Sequence, residues 1–146
     1  MELGTLDGWN IHFNKPAGDQ VELPEDITDV PSEELGRLYT RLTAWTDYIN
    51  SQMVMAQLEE RAALKKKEFT ETTLFMRRMG SQAKGERVTA IKAEVSVLPE
   101  LVELDNDYEK KYAYRKFVEM LLVNHERDIQ LVSREITRRN SFRREL

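Results

Sequence analysis

The sequence predicts a mostly α-helical protein, built as a long, coiled-coil-like antiparallel helical hairpin with a short N-terminal β-hairpin arm, and oligomeric. Two long segments have apolar residues at spacings of three and four, the spacing of an amphipathic helix. A glycine-containing polar loop separates these segments, at residues 80–86. Residues 1–31 lack this periodicity and are acidic, so we expect them to form a separate arm.

The arm has the pattern of a β-hairpin. Apolar residues alternate with polar ones in two short runs, at Trp9, Ile11 and Phe13 and at Val21 and Leu23. Residues 15–19, Lys-Pro-Ala-Gly-Asp, supply turn-forming residues between the runs. We therefore expect two paired strands. Because a lone hairpin is marginally stable in water, its apolar face should pack on the helices.

The first long helix is predicted over residues 32–79. Ser32 suits the N-cap, and Glu33 and Glu34 suit the positive end of the helix dipole. No proline follows up to Met79, and no glycine follows Gly36. A near-heptad apolar seam runs through Leu35, Leu38, Leu42, Trp45, Ile49, Ala56 and Ala63.

The second long helix is predicted over residues 99–140, beginning at Pro99, because proline is well tolerated at a first helical position. The intervening loop, residues 80–98, contains a short helix over residues 90–95 that Thr89 can cap. The second seam runs through Leu101, Leu104, Tyr108, Lys111, Arg115, Val118, Leu122, His125, Ile129, Val132 and Ile136. The helices should fold back on each other, making residues 32–146 one helical domain.

Polar side chains on this seam require partners, because an unpaired buried charge carries a large desolvation cost. We expect Glu59 or Glu60 opposite Arg115, and Gln52 or Tyr48 near His125. Further apolar residues lie off both seams, at Tyr48, Met53, Met55, Tyr112, Tyr114, Phe117 and Leu121. A two-helix hairpin cannot cover these faces, so a homo-oligomer is expected.

The composition gives little basis for an enzyme. The chain has no cysteine and two histidines, and neither histidine follows a glutamate by three residues as in helical di-metal sites. We expect no catalytic residues, metal or cofactor. No apolar run approaches the roughly 20 residues that a membrane-spanning helix needs, and no signal-peptide pattern begins the chain. A cytoplasmic protein without membrane contact is the expectation.

Basic clusters are the remaining candidates for a site. The first is near the loop, at Lys65, Lys66, Lys67, Arg77, Arg78, Lys84 and Arg87. A second, possible secondary site is C-terminal, at Arg134, Arg138, Arg139, Arg143 and Arg144. Either cluster could contact nucleic-acid phosphates or simply form a solvated helix face. Residues 1–34 have nine acids against one base, so we expect this arm to pair with the C-terminal arginines.

The first cluster also resembles a known family. Ala63-Leu64-Lys65-Lys66-Lys67, the loop from Gly80 to Gly85, and Ser133-Arg134 are similar to features of the UvsY-type phage recombination mediators. The resemblance covers about residues 35–139. It is a likeness of short motifs and architecture, and the acidic arm has no counterpart in the family pattern.

That resemblance implies a non-enzymatic phage protein of the bacterial host's cytoplasm. Such a protein binds single-stranded DNA and helps load a recombinase onto a strand coated with single-strand-binding protein. By the same resemblance, Lys65 and Lys67 take the DNA-contacting positions. The alternative is a structural or adaptor protein, such as a small virion component, that acts through its apolar helix faces.

Overall fold

We describe the fold from a computed structural model, which defines residues 5–6, 11–12, 14–81 and 87–145. Two short strands, β1 (Thr5–Leu6) and β2 (Ile11–His12), come first and pair antiparallel. A short 3-10 helix follows at Ile27–Asp29. Three α-helices complete the chain, α1 (Ser32–Ser81), α2 (Val88–Ser96) and α3 (Pro99–Glu145).

The predicted helices are confirmed, with differences at their ends. Helix α3 continues past residue 140 to Glu145, because no glycine or proline follows Pro99 to end it. The hydroxyl of Ser32 does not cap α1; it accepts a hydrogen bond from Arg139 instead. The first helical turn is closed by the Leu35 N–H, which donates to the Pro31 carbonyl at 2.9 Å. Helix α2 is longer than predicted and begins one residue before Thr89.

The predicted β-hairpin arm is not supported. Its second strand was expected at Val21 and Leu23, yet residues 14–26 contain no strand. The short ladder instead joins Thr5 to His12 and Leu6 to Ile11, within the N-terminal dozen residues. Trp9 and Phe13, expected on the apolar face, lie outside the described residues. The alternation at Val21 and Leu23 reflects packing of an irregular segment against the helices, as follows.

The chain divides into two compact units, Met1–Met55 with Phe117–Leu146 and Ala56–Lys116. In the first unit, α1 packs on α3 around the fully buried Leu35, Leu42 and Val132. A second cluster joins Ile49 and Met53 to Val118. Partners on α3 fall in number as those on α1 rise, so the two helices run antiparallel within this unit.

An irregular segment, residues 14–31, packs on the helices of the first unit. We call it the N-terminal segment. Val21 is buried in the cluster of Leu35, Leu42, Trp45 and Val132. The Gln20 amide lies 3.1 Å from His125 Nε2, whose Nδ1 is 3.0 Å from the Leu121 carbonyl. The predicted partners of His125, Gln52 or Tyr48, are therefore wrong.

Two arginines also bind the N-terminal segment through its backbone. Arg41 donates to the Asp19 carbonyl at 3.2 Å, next to Gly18, whose φ of 84° favours glycine. Arg139 of α3 donates to the carbonyls of Ile27 and Thr28 at 3.3 and 3.1 Å. These bonds attach irregular backbone that has few partners of its own.

The second unit packs α2 against both long helices. Ile91, Val95 and Leu101 form its buried cluster, with Leu74 and Phe75 of α1 beside them. Four ion pairs join its helices, Arg115–Glu60, Lys111–Glu59, Lys67–Asp105 and Arg78–Glu94. Arg115 is confirmed opposite Glu60, with Nε 2.5 Å and Nη2 3.2 Å from the two carboxylate oxygens. Across the described part of the chain, no helix has the length and apolar content to span a bilayer.

The Arg115–Glu60 pair should stabilise the fold measurably. Its side chains are 17% and 16% exposed, whereas those of Arg37 and Glu33 are 74% and 82% exposed. Double-mutant cycles with Arg→Met and Glu→Gln substitutions should give a coupling of about 0.5–3 kcal/mol for Arg115–Glu60. The Arg37–Glu33 cycle serves as the control and should give about 0.5 kcal/mol or less. Urea unfolding followed by circular dichroism measures both, and equal couplings would contradict the assignment.

Candidate nucleic-acid interface

The structure separates the three consecutive lysines by orientation. Lys67 faces α3, where its Nζ lies 2.6 Å from Asp105 and 5.7 Å from the ring centre of Tyr108. The Asp105 hydrogen bond raises the pKa of Lys67, so the ammonium is held in its charged form by the protein itself. Lys65 and Lys66 are exposed and pair with no acid among the described residues. Of the three, Lys65 and Lys66 therefore have charges available to a ligand.

The other predicted basic residues are similarly divided. Arg78 donates to Glu94 of α2 at 2.9 Å, so its charge is balanced within the unit. Arg77 is exposed, and it borders an open groove of about 390 Å³ with Leu74, Val95 and Leu98 at its apolar floor. Arg87 is exposed at the start of α2. Lys84 lies outside the described residues.

Lys65 and Lys66 belong to a continuous exposed face of α1 in the second unit, which we call the basic stripe. At about 100° of rotation per residue, its members all lie within about 60° of Phe69. They are Ala62, Lys65, Lys66, Phe69, Thr72, Thr73 and Met76. This face points away from α3, because Ala63, Lys67 and Leu74 on the other side make the packing contacts.

Acidic side chains are absent from the basic stripe. The nearest are Glu68 and Glu71, one and two residues from Phe69, which places them about 100° and 160° around the helix. The Thr73 hydroxyl donates to the Phe69 carbonyl at 2.9 Å, so it adds no charge to this face. A chain with a net charge of −4 thus has one helical face where only cations and neutral groups are presented.

Phe69 is the most exposed aromatic side chain among the residues that the structure describes, at 74%. Its neighbours on the stripe are Lys65, one turn earlier, and Met76, two turns later. Two other aromatics that sequence reasoning could equally have chosen are unsuitable, since Trp45 is buried and Phe75 packs against α2. The sequence offered no signal for this choice, because Phe69 is off the seam by only one helical position.

The C-terminal arginines are organised around a buried acid, Glu135. Arg138 donates to it through Nε at 2.9 Å and Nη2 at 2.6 Å, and Arg139 through Nε at 2.9 Å. These bonds lower the pKa of Glu135 to about 2. Arg138 also lies 5.6 Å from the ring centre of Phe142. Arg134, Arg143 and Arg144 have no acidic partner within the described ranges.

Pairing between the acidic arm and these arginines occurs in a different form from the one expected. Arg139 contacts the N-terminal segment, but through carbonyl oxygens and Ser32 Oγ at 3.0 Å. No carboxylate of residues 14–31 forms an ion pair with a C-terminal arginine. Arg139 therefore acts as a structural bridge between α3 and this segment, which leaves it a poor candidate for binding an external phosphate.

Stability of the first unit should depend on the ionised state of Glu135. Its pKa falls from the ordinary 4.5 to about 2 on folding, so the stabilisation is complete above pH 4.5 and is lost as pH falls toward 2. Glu135→Gln should lower stability at pH 7 and flatten the decline between pH 4.5 and 2. Urea unfolding at a series of pH values measures this. Glu126→Gln, an exposed position of the same helix, should keep the wild-type profile, and an unchanged profile for Glu135→Gln would refute the assignment.

Comparison of the chain with protein-family models, with curated proteins and with solved structures gives no match to any of them. The resemblance to the UvsY-type recombination mediators therefore stays a prediction from the sequence, and the candidate interface is assigned from its own geometry and charge.

Proposed function

We propose that this protein is a non-enzymatic, single-stranded nucleic-acid-binding protein and that the basic stripe of α1 is its binding face. One observation carries the proposal: an exposed phenylalanine lies beside unpaired lysines on a helical face without acids. Proteins that bind single strands without reading sequence combine backbone-tracking cations with aromatic platforms on which bases stack. Phe69 supplies the platform, and Lys65 and Lys66 supply the cations.

The arrangement supports a simple mechanism of binding. Lys65 and Lys66 lie on the two sides of Phe69, about 40° and 60° around the helix, so phosphates can be held on both sides of a stacked base. From Lys65 to Met76 the face extends about 16 Å along the helix axis. Met76 provides a further polarisable surface, and Arg77 lies at the edge of the same face. Phosphate contacts of this kind give affinity without sequence specificity.

The wider role proposed here is that of a phage-type recombination mediator. The supports are the short-motif resemblance and the presence of unpaired Lys65 in the basic Ala-Leu-Lys segment. In this role the protein holds single-stranded DNA and assists a recombinase in displacing a single-strand-binding protein. Lys67 and Arg78 contribute to the fold through Asp105 and Glu94, and we exclude them from the proposed contacts. Arg77 and Arg87 remain candidate secondary contacts.

The second candidate function is that of a structural or adaptor protein acting through helix faces. It is favoured by exposed apolar residues on α3, of which Phe117 is 64% exposed. A protein of this kind should show no salt-dependent affinity for oligonucleotides. The two candidates therefore differ in one direct measurement, the binding of a fluorescent oligodeoxythymidine by anisotropy.

Removing both stripe lysines should reduce the salt dependence of DNA binding. Each phosphate neutralised on a single strand contributes about 0.7 to the slope of log K against log salt, so Lys65→Gln/Lys66→Gln should lower it by about 1.4. The control Lys92→Gln/Lys110→Gln has the same net charge and should keep the slope. The lysine-stripe variant should also fail to speed recombinase assembly on a coated strand. Equal slopes for the two variants would contradict the binding face.

Replacing the exposed aromatic should weaken binding at every salt concentration. Base stacking on an aromatic side chain contributes about 1–3 kcal/mol, so Phe69→Ala should raise the Kd about 5- to 100-fold without changing the salt slope. Phe69→Trp should preserve affinity. Tyr114→Ala, which removes another exposed aromatic, is the control and should bind as wild type. If Phe69→Ala also binds as wild type, the stacking role is wrong.

A further inference from the structure

Helix α3 has a second apolar face in the first unit, separate from the seam. Its positions follow alternating steps of three and four residues, at Phe117, Met120, Asn124, Arg127 and Leu131. We call this set the α3 stripe. Phe117 and Met120 are 64% and 52% exposed, and Leu131 is exposed as well. Leu121 and Val123, both exposed, lie along its two edges.

The α3 stripe lies on the side of the helix away from α1. Met120 is two residues from Leu122, which packs on the Ile49–Met53–Val118 cluster, so the two side chains are about 160° apart. The alternation of three and four residues is the spacing by which one helix packs along another. The occupant suited to this face is therefore a helix lying lengthwise on it.

We propose that a second copy of this chain covers the α3 stripe, with the two α3 helices running antiparallel. Charge decides between the two directions. A parallel pairing in register would place Arg127 against Arg127 of the partner subunit, with like charges at an inward-facing position. An antiparallel pairing can place the guanidinium of Arg127 against the ring of Phe117 of the partner subunit, which is an attractive cation–π contact.

The hydrogen bonding on the stripe is compatible with this arrangement. Arg127 Nη2 donates to Asn124 Oδ1, one turn away on the same face. This bond satisfies the amide oxygen that a partner helix would cover, and it holds the guanidinium along the helix surface. Asn124 can then face Met120 of the partner subunit without leaving its carbonyl oxygen unpaired.

Pairing Phe117 with Arg127 also fixes the register. The twofold axis then passes near residue 122, because 117 and 127 are equally distant from it. Leu121 lies beside Leu121 of the partner subunit, and Val123 lies beside Val123 of the partner subunit. The exposed apolar edges of the stripe are thereby covered at the centre of the interface. No other register pairs both edge residues with themselves.

The interface is short. From Phe117 to Leu131 the stripe extends about 21 Å, and it uses one helix face, so it falls below the roughly 800 Å² per partner of a standard interface. We therefore expect a dimer that dissociates on dilution. This inference does not depend on the proposed function, because the basic stripe is on α1 and its residues take no part in the pairing.

Cross-linking of single-cysteine variants tests the direction and register, since the chain has no cysteine of its own. Leu121→Cys and Val123→Cys should each give a covalent dimer with a short bis-maleimide, because the paired positions are offset by about 3 Å along the axis. Phe117→Cys should not, since its two copies are about 15 Å apart along the axis. Dimers from Phe117→Cys as efficient as those from Leu121→Cys would indicate parallel helices and overturn the proposal.

Sedimentation equilibrium tests the face independently. The wild-type protein should shift from 17.1 kDa toward twice that mass as its concentration rises. Met120→Glu should raise the dimer dissociation constant at least 10-fold, with an unchanged melting curve because Met120 is exposed. Val97→Glu, at another exposed apolar position, should dimerise as wild type. A wild-type monomer at every concentration would overturn the proposal, as would self-association that Met120→Glu does not alter, including one in which a different protein is needed to cover the stripe.

Discussion

Each long helix can bury only one side against the other, and this constraint determines how the chain uses its residues. In the first unit the buried sides meet at Leu42 and Val132; in the second they meet at Glu60 and Arg115. Every apolar or charged residue beyond the seam is consequently exposed. Exposure of such residues in ordered rows, as on the basic stripe and the α3 stripe, gives the molecule surfaces that its own fold does not cover.

The seam also requires that its polar members be matched. Arg115 obtains two hydrogen bonds from Glu60, and His125 obtains contacts from Gln20 and the Leu121 carbonyl. The first solution uses the facing helix, whereas the second uses an irregular segment. Since a buried polar group without a partner is costly, the N-terminal segment is part of the structure of the seam as well as a cover for its apolar end.

Helix positions were predictable because proline, glycine and apolar spacing act locally, and the Arg115–Glu60 pair followed from seam registration. Other features depend on distant chain segments. The partner of His125 is 105 residues away in a segment without periodicity. Alternation at Val21 suggested a strand, although one buried anchor explains it. Lys67 and Lys66 differ in role because one helical position, about 100°, decides which of two adjacent lysines reaches Asp105.

The docking of the N-terminal segment through Arg41 and Arg139 has an evolutionary consequence. Both arginines bind carbonyl oxygens, which every residue possesses, and Val21 is the one side chain of the segment that is buried in the core. Related chains can therefore exchange most of the segment's side chains while the segment stays in place. Selection should preserve the two arginines, Gly18 and an apolar residue at position 21, and it should leave the acidic positions free to diverge with the host.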